Sequence, residues 1–550
     1  MIEENENENE IEEETVNANE KIIGRGTWLD KVAEDLVERE KKLGRSLSLI
    51  RVESGLGASG IPHVGSIGDA VRAYGIRQAL KDIGYNSELI AYSDDMDGLR
   101  KVPVGLPDWL NDYIAHPVSK IPDPFGCHSS YGAHMSSILT DGLDKLNVEY
   151  KFQSGAEAYR KGLLADQVVK ILENSRLIGE KISEMLGQTK FEDVLPYYPV
   201  CGSCGRIYVA EAYRYEPSEK KVLYRCRGAE IAHKKIEGCG HEGEADVTKD
   251  QGKLSWKSEF AARWAALDIR FEAYGKDIAD SVKVNDWIAE AVLNYPPPFH
   301  VKYEMFLDKS GKKISKSLGN VFTPQAWLTY GTPQSLLLLM YKRIAGTRNL
   351  SVEDIPTYMD EYDALEDVYF GKVKESNPAK LRKTKGLYEY INHLNPPKAP
   401  SVHAPYRLIA QIASVAPKEG RTDYVIERLK SYRAIKEADE TFREKVRLAA
   451  NWADEFSKTT EKTKVELTPA ERNAVSQIVD FIRKTPKAEA EAIQNTIFEA
   501  AKTNNIQPTD LFRAMYRILI GTNRGPRLGT YIVDIGTERA ADALSEQLEQ

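Results

Sequence analysis

Three sets of residues in this 550-residue chain have types and spacings suited to chemistry. The first is Ser54-Gly55-Leu56-Gly57-Ala58-Ser59-Gly60-Ile61-Pro62-His63-Val64-Gly65-Ser66. Glycines let a backbone approach a phosphate closely, and a helix that starts after such a turn offers unpaired N–H groups to an anion. His63 stands inside the turn, where an imidazole has no packing reason to be. The second is Lys312-Lys313-Ile314-Ser315-Lys316-Ser317-Leu318-Gly319-Asn320, a cationic, hydroxyl-rich stretch that by itself reads as a solvated basic turn. The third is Cys201-Gly202-Ser203-Cys204 with Cys226 and Cys239. A C-x-x-C pair followed by two more thiols is a structural zinc pattern. His241 is an alternative to Cys239 as the fourth ligand; four thiolates are expected. A redox pair is the competing reading and lacks its usual sequence context.

The elements around the first set are those that position a nucleotide. Leu47–Glu53 is rich in Leu and β-branched residues and reads as a strand. Asp69–Leu80 carries apolar residues at helical spacing, and a second strand follows at Ser87–Tyr92. Strand, glycine-rich turn, helix and strand open an α/β nucleotide-binding domain. The glycines do not follow G-x-G-x-x-G, so a dinucleotide fits poorly. The second strand runs into Asp94, Asp95 and Asp97, at the carboxyl end where open parallel sheets hold ligands; a capped loop is the plain alternative. Phe299–Leu307 reads as the last strand, directly before the lysine–serine stretch. Residues 21–46 read as a helix with Thr27 as its cap. His128 and His134 are ligands, RNA contacts or simply a wall of the site, and Cys127 reads as a structural thiol.

At this length two to four domains are expected. No apolar run is long enough to span a membrane, and the N-terminus has no signal-like region, so a cytoplasmic protein with reduced thiols is expected. Residues 1–20 carry nine Glu and no Lys or Arg, and read as a disordered acidic tail. Without those nine charges the net −8 becomes about +1. Residues 372–450 hold 17 Lys/Arg against nine Asp/Glu. After residue 346 the chain reads as helical almost throughout, with stretches at 424–436, 440–459, 469–484, 488–502 and 510–519. Pro378, Pro396, Pro397 and Pro400 mark a break within it.

His63-Val64-Gly65-Ser66 and Lys313-Ile314-Ser315-Lys316-Ser317 resemble, in order and context, the "HIGH" and "KMSKS" motifs of class I aminoacyl-tRNA synthetases. The aspartate-rich strand end, the segment around Trp256 and Gly275-Lys276-Asp277-Ile278 resemble the archaeal-type class I lysyl branch, whose usual His is Ile278 here. Residues 525–532 resemble that branch's C-terminal helical domain. The resemblance implies a Rossmann-like parallel-sheet catalytic domain over 21–340, with a zinc-binding insertion at 196–247. A helical linking segment at 341–400 and an all-α anticodon-binding domain at 401–550 would follow. It implies activation of L-lysine by ATP with Mg²⁺, then transfer to the 3′ end of tRNA(Lys), and contacts with the translation machinery. His63, Lys313 and Lys316 would be catalytic. Ser59, Gly60, Gly65, Ser66, Ser315 and Ser317 would bind ATP, and Gly55, Gly57, Asp95, Trp256 and Asp277 would form the amino-acid pocket. Structural Zn²⁺ would sit on Cys201, Cys204, Cys226 and Cys239.

Two other functions fit parts of the sequence. A synthetase of another specificity, glutamate, needs an arginine at the side chain, whereas three aspartates suit a cation. A non-catalytic tRNA-binding paralogue would be expected to lose the lysines of the second motif, and both remain.

Overall fold

A computed structural model of the chain describes residues 23–304, 306–307, 322–456 and 465–549. The acidic tract 1–20 and the stretch Lys312–Asn320, with Lys313, Ser315, Lys316 and Ser317, lie outside the described residues.

The site is built on a five-stranded sheet. Its strands are β1 (Ile50–Leu56), β2 (Ser87–Ser93), β3 (Lys151–Ser154), β4 (Ile269–Gly275) and β5 (Phe299–Tyr303), in the order β5-β4-β1-β2-β3. Every pairing is parallel. The chain works outward from β1 to β3, then returns to the other side of β1. The order therefore reverses between β1 and β4, and a crevice opens there at the carboxyl ends.

Both faces are buried, as parallel sheets require. Leu89 and Ala91 of β2 join a core with α1 (Trp28–Lys42) and α2 (Val64–Asp82), while Ile90 and Tyr92 join a second core on the opposite face. That second core takes in α3 residues Tyr131 and Met135 (α3, Tyr131–Lys145) and Phe260 and Trp264 of α4 (Trp256–Leu267). Helix α5 (Ala279–Ala291) links β4 to β5 and packs on α4.

The observed β1 runs three residues further than the sequence suggests, through Ser54-Gly55-Leu56. Gly55 pairs with Tyr92, so the first glycine belongs to the ladder and the turn starts after Leu56. Helix α2 begins five residues earlier than its apolar period, at Val64. It is buried on all sides from Ala70 to Leu80, because α1 and the helix Pro333–Tyr341 cover the faces that the sheet leaves. Thr27 caps α1 through Asp30, whose carboxylate accepts from the Thr27 hydroxyl at 2.7 Å.

An antiparallel pairing of Tyr197–Pro199 with Gly252–Leu254 closes the excursion that carries the four cysteines. Its three-stranded sheet comprises Ala210–Glu216, Lys221–Cys226 and Glu242–Asp246. Arg206-Ile207-Tyr208-Val209 has the composition of a strand but forms a bend. Tyr208 adopts φ +74°, and the Ile207 N–H donates to the Ala115 carbonyl at 2.6 Å, so this segment docks onto the main domain rather than pairing within the excursion.

Beyond residue 350 the described chain is helical. Ile355–Tyr369 packs on Pro378–Ile391, Tyr406–Val415 on Glu440–Phe456, and Pro469–Lys484 on Thr537–Leu548. The junction between the first pair and the rest is polar. The His403 Nδ1 lies 3.2 Å from Asp363, and its Nε2 lies 3.2 Å from Glu366. Burial opposes the charged imidazole, but those two carboxylates outweigh it and hold His403 up at about 9. Burial likewise opposes the Glu366 carboxylate, but His403, the Ser401 N–H and the Tyr388 hydroxyl hold it down at about 2.

A raised histidine stabilises fully below its unfolded pKa of 6.5 and loses that contribution through 9. A depressed glutamate stabilises fully above 4.5 and loses it through 2. The junction is therefore strongest between pH 4.5 and 6.5. His403→Gln should cost about 2 kcal/mol in denaturant unfolding at pH 6, and the difference from wild type should shrink towards zero above pH 9. A deficit independent of pH would show that the imidazole is neutral there.

Candidate active site

The turn between β1 and α2 is held from three sides. The Asp94 N–H donates to the Leu56 carbonyl at 3.0 Å, and the Tyr131 hydroxyl to the Ser59 carbonyl at 3.2 Å. The Val64 N–H donates to the Phe322 carbonyl at 2.6 Å. His63 occupies the N-cap of α2 with an extended backbone (φ −107°, ψ 169°), and its N–H donates to the Ser66 hydroxyl at 3.4 Å. The need for Gly65 is steric. A Cβ there would lie 2.8 Å from His63 Cε1 and 2.9 Å from Nδ1, so the imidazole lies over the glycine.

The residues flanking 308–321 meet this turn. Phe306–Leu307 pairs in parallel with Arg348–Asn349, and the Phe306 ring comes to 3.6 Å of the same Cβ position at Gly65. Phe322, on the other flank, bonds Val64 as above.

Beside the turn lies a cavity of about 300 Å³, lined by Ser59, Gly60, Asp97, Gly98, Arg100, Lys101, Val102, Pro103 and Trp256. Ser59 and Gly60, expected at ATP, and Trp256, expected in the amino-acid pocket, line this one cavity together, and the carboxylate among them is Asp97. The Trp256 indole N–H donates to both Asp97 oxygens, at 3.1 and 3.2 Å, and the Lys253 ammonium reaches Oδ1 at 2.5 Å. Asp95 is occupied elsewhere. It accepts from the Ser154 hydroxyl at 2.5 Å and the Ala156 N–H at 2.7 Å, and so anchors the helix Gly155–Arg160 to the end of β2. Sequence cannot choose among Asp94, Asp95 and Asp97, because the choice depends on which donors other segments bring. Exposed Arg100 and Lys101 stand at the rim.

Asp94 belongs to a second cluster. The Arg263 guanidinium lies 2.9 Å from Glu53, 2.9 Å from Asp94 and 3.5 Å from Glu272, and stacks 4.4 Å from the Tyr92 ring centroid. Burial, only partly countered by Arg263, pushes the Glu53 and Asp94 carboxyls well above the usual carboxylate range. Gly55 borders this cluster: a Cβ there would lie 3.7 Å from Asp94 Oδ2 and 3.8 Å from Arg263 Nη2. Half-buried Gly57 begins the turn and does not line the cavity. Asp277 does not line it either. Its carboxylate folds back over Gly275 at the end of β4.

Among the described residues, two groups could hold a metal ion. The ligand atoms of Cys201, Cys204, Cys226 and Cys239 lie within 4.8 Å of one another, with Sγ–Sγ distances of 3.6 Å (Cys201 to Cys239) and 3.8 Å (Cys204 to Cys226). Tetrahedral zinc with Zn–S of about 2.3 Å needs edges of about 3.8 Å, so the thiols fit the ion without rearrangement. His241 is not in the group. The second group is Asp123, Cys127, His128 and His134. Cys127 is exposed, so it is not the packed structural thiol that the sequence suggests. Its Sγ lies 3.1 Å from His128 Nδ1 and 3.3 Å from His134 Nδ1, the two Nδ1 atoms are 3.2 Å apart, and Asp123 Oδ1 is 3.3 Å from His134 Nδ1. Four acceptor atoms converging at these edges also fit a tetrahedral N/S/O zinc site.

Residues 26–394 match the family model of tRNA synthetases class I (K). A lysine–tRNA ligase of Cenarchaeum symbiosum (strain A) is 52% identical over 529 residues, spanning 96% of this chain and 100% of that protein. The chain belongs to the class I lysyl-tRNA synthetases. Lysine–tRNA ligases of Rickettsia rickettsii (strain Sheila Smith) and Methanosphaera stadtmanae are 31% and 28% identical, over 90% and 92% of this chain and 93% and 97% of theirs. A solved glutamate tRNA ligase from Elizabethkingia meningosepticum aligns over 91% of this chain and 99% of its own, at 12% identity and a TM-score of 0.30, too low to transfer any arrangement. No helix among the described residues of this class I synthetase is long and apolar enough to cross a membrane.

In this synthetase, Gly65→Ala should force the His63 ring off its seat. An amino-acid activation rate lowered about 100-fold, with an unchanged unfolding temperature, is expected by pyrophosphate exchange. An unaltered rate would show that the ring position over Gly65 is immaterial to the reaction.

Proposed function

We propose that the chain is a lysine–tRNA ligase whose ATP site is the His63 turn and whose lysine site is the cavity beside it. The observation that carries this reading is the single cavity lined both by the turn, at Ser59 and Gly60, and by a carboxylate–indole pair, Asp97 and Trp256. A carboxylate and a π face are what an ε-ammonium and its aliphatic stem need.

The reaction has two steps. The lysine carboxylate attacks the α-phosphorus of ATP and pyrophosphate leaves. The lysyl group then passes from the adenylate to the 2′-hydroxyl of the terminal adenosine of tRNA(Lys). No enzyme nucleophile is required, so catalysis is positioning and charge stabilisation. His63, with Ser66 at the start of α2, donates to phosphate oxygens as charge builds. Lys313 and Lys316, with Ser315 and Ser317, hold the α-phosphate and the departing pyrophosphate. The contacts of Phe306 and Phe322 with the His63 turn support this pairing of motifs. Gly55 leaves room for substrate at the end of β1, and Arg100 and Lys101 suit anionic groups at the rim. Mg²⁺ enters with ATP on its phosphate oxygens and needs few protein ligands.

The finer architecture is part of the same proposal. Residues 21–340 form the catalytic domain, 341–400 link it, and 401–550 read the anticodon. The excursion 196–247 is organised by zinc on its four thiolates, and the Asp123 group takes a second zinc ion. The exposed cations of residues 372–450, among them Lys374, Arg433 and Lys436, favour an RNA-facing surface over a merely solvated one.

Two measurements test the proposal. His63→Ala and Lys316→Ala should each slow lysine-dependent pyrophosphate exchange about 10²–10³-fold with the fold intact; wild-type exchange in both would overturn the assigned roles. Metal analysis of the purified chain should give two zinc ions per chain, with Cys226→Ser and His134→Ala each removing one. A metal-free chain that still folds would refute both metal assignments.

A further inference from the structure

Behind Asp97, outside the cavity lining, lies a lysine of the protein's own. Lys253 is 1% exposed, and its ammonium lies 2.5 Å from Asp97 and 2.6 Å from Glu259, itself 2% exposed. Asp97 faces the cavity; neither Lys253 nor Glu259 lines it. Glu259 accepts from the Tyr159 hydroxyl at 3.0 Å, and Asp97 accepts from the Trp256 indole and from the Tyr208 hydroxyl at 3.4 Å. Burial opposes the Lys253 charge, but Asp97 and Glu259 outweigh it and hold the ammonium well above the usual lysine range. Two carboxylates against one ammonium leave a buried unit with a charge of −1. The other buried cation nearby, Arg263, is already shared among Glu53, Asp94 and Glu272. Arg100 stacks over the Tyr208 ring from the exposed rim.

We propose that Lys253 and Glu259 are positioning residues that set the net charge beneath Asp97, so that the buried side of the cavity, as distinct from its exposed rim of Arg100 and Lys101, lacks one positive charge and selects an amino acid whose side chain supplies it. Lys253 fixes the Asp97 carboxylate and cancels one of the two negative charges. Glu259 supplies the other negative charge from behind, without touching substrate. The inference rests on the reading of Asp97 as the partner of the substrate ammonium.

This arrangement makes an unusual mutational signature. Glu259→Gln keeps the shape but leaves Asp97 fully neutralised by Lys253, so the attraction for a cation falls. Lys253→Met leaves two buried carboxylates without an ammonium. Without the ammonium the two carboxylates repel, and Asp97 is pushed from the position that Lys253 fixed. Combining the two leaves Asp97 alone with its −1, and the deficit of one cation returns. Two harmful substitutions should therefore restore function together, which a merely structural salt bridge does not do.

The experiment is steady-state lysylation of tRNA by the full chain, reading the KM for lysine and for ATP. Glu259→Gln and Lys253→Met should each raise the lysine KM at least about tenfold with the ATP KM unmoved. The double variant should return to within about threefold of wild type. A double variant as impaired as the product of its singles, or a Glu259→Gln enzyme with a normal lysine KM, overturns the inference. If Lys253→Met does not fold, Glu259→Gln and the double variant still decide it. Asp97→Asn, measured alongside, separates the two levels. A normal lysine KM in that variant defeats the pocket assignment itself. A raised one, without recovery in the double variant, defeats only the role of Lys253 and Glu259.

Discussion

Five buried carboxylates, Glu53, Asp94, Asp97, Glu259 and Glu272, face two buried cations, Lys253 and Arg263, beneath one cavity. Burying unmatched charge is among the most expensive things a fold can do. A chain free to optimise stability alone would place apolar side chains there. The parallel sheet makes the arrangement tolerable, because β1 and β4 hold Glu53 and Glu272 in paired register and Asp94 follows directly on β2. Helix α4 supplies Glu259 and Arg263 from the opposite face, and the strand pairing that closes the cysteine-bearing excursion supplies Lys253. The cost is carried by two cores that meet at the sheet.

The cysteine-bearing excursion is therefore coupled to the pocket rather than appended to the domain. Lys253 lies in Gly252–Leu254, the strand that closes the excursion, and Tyr208 reaches out of it to the Gly98 N–H at 3.1 Å and to Asp97. Ordering the four thiols thus bears on the geometry around Asp97. The Asp123 group stands in the loop and first turn at the start of α3. That helix supplies Tyr131, the residue that pins the Ser59 carbonyl.

Much of this was legible in the sequence. The strand–turn–helix unit at 47–80, the cysteine pattern and most C-terminal helices follow from periodicity and spacing, which are local properties. Pro469–Lys484 appears at the predicted bounds because Thr468 and Glu471 form a capping box and Pro469 takes the first turn. What escaped is non-local. Whether Asp94, Asp95 or Asp97 faces the cavity depends on Arg263, Ser154 and Trp256, which are 60 to 170 positions away in the chain. The extension of β1 to Leu56 depends on its pairing with β2. Residues 206–209 look like a strand but are tied to Ala115. Asp123, Cys127, His128 and His134 have the right chemistry, yet no common spacing rule for metal sites brings a loop and the first turn of a helix together. Lys253 and Glu259 carry no motif, and only burial reveals them.

The central claim is that a charge-deficient cavity beside the His63 turn makes this class I synthetase specific for lysine. The most direct test is ATP–pyrophosphate exchange by the purified full chain, across the twenty amino acids one at a time, each with and without tRNA. Exchange with lysine alone is the result expected, and a requirement for tRNA would add that the site is completed by the second substrate. Exchange supported by glutamate or by an uncharged amino acid, with lysine inactive, would contradict the account of the pocket.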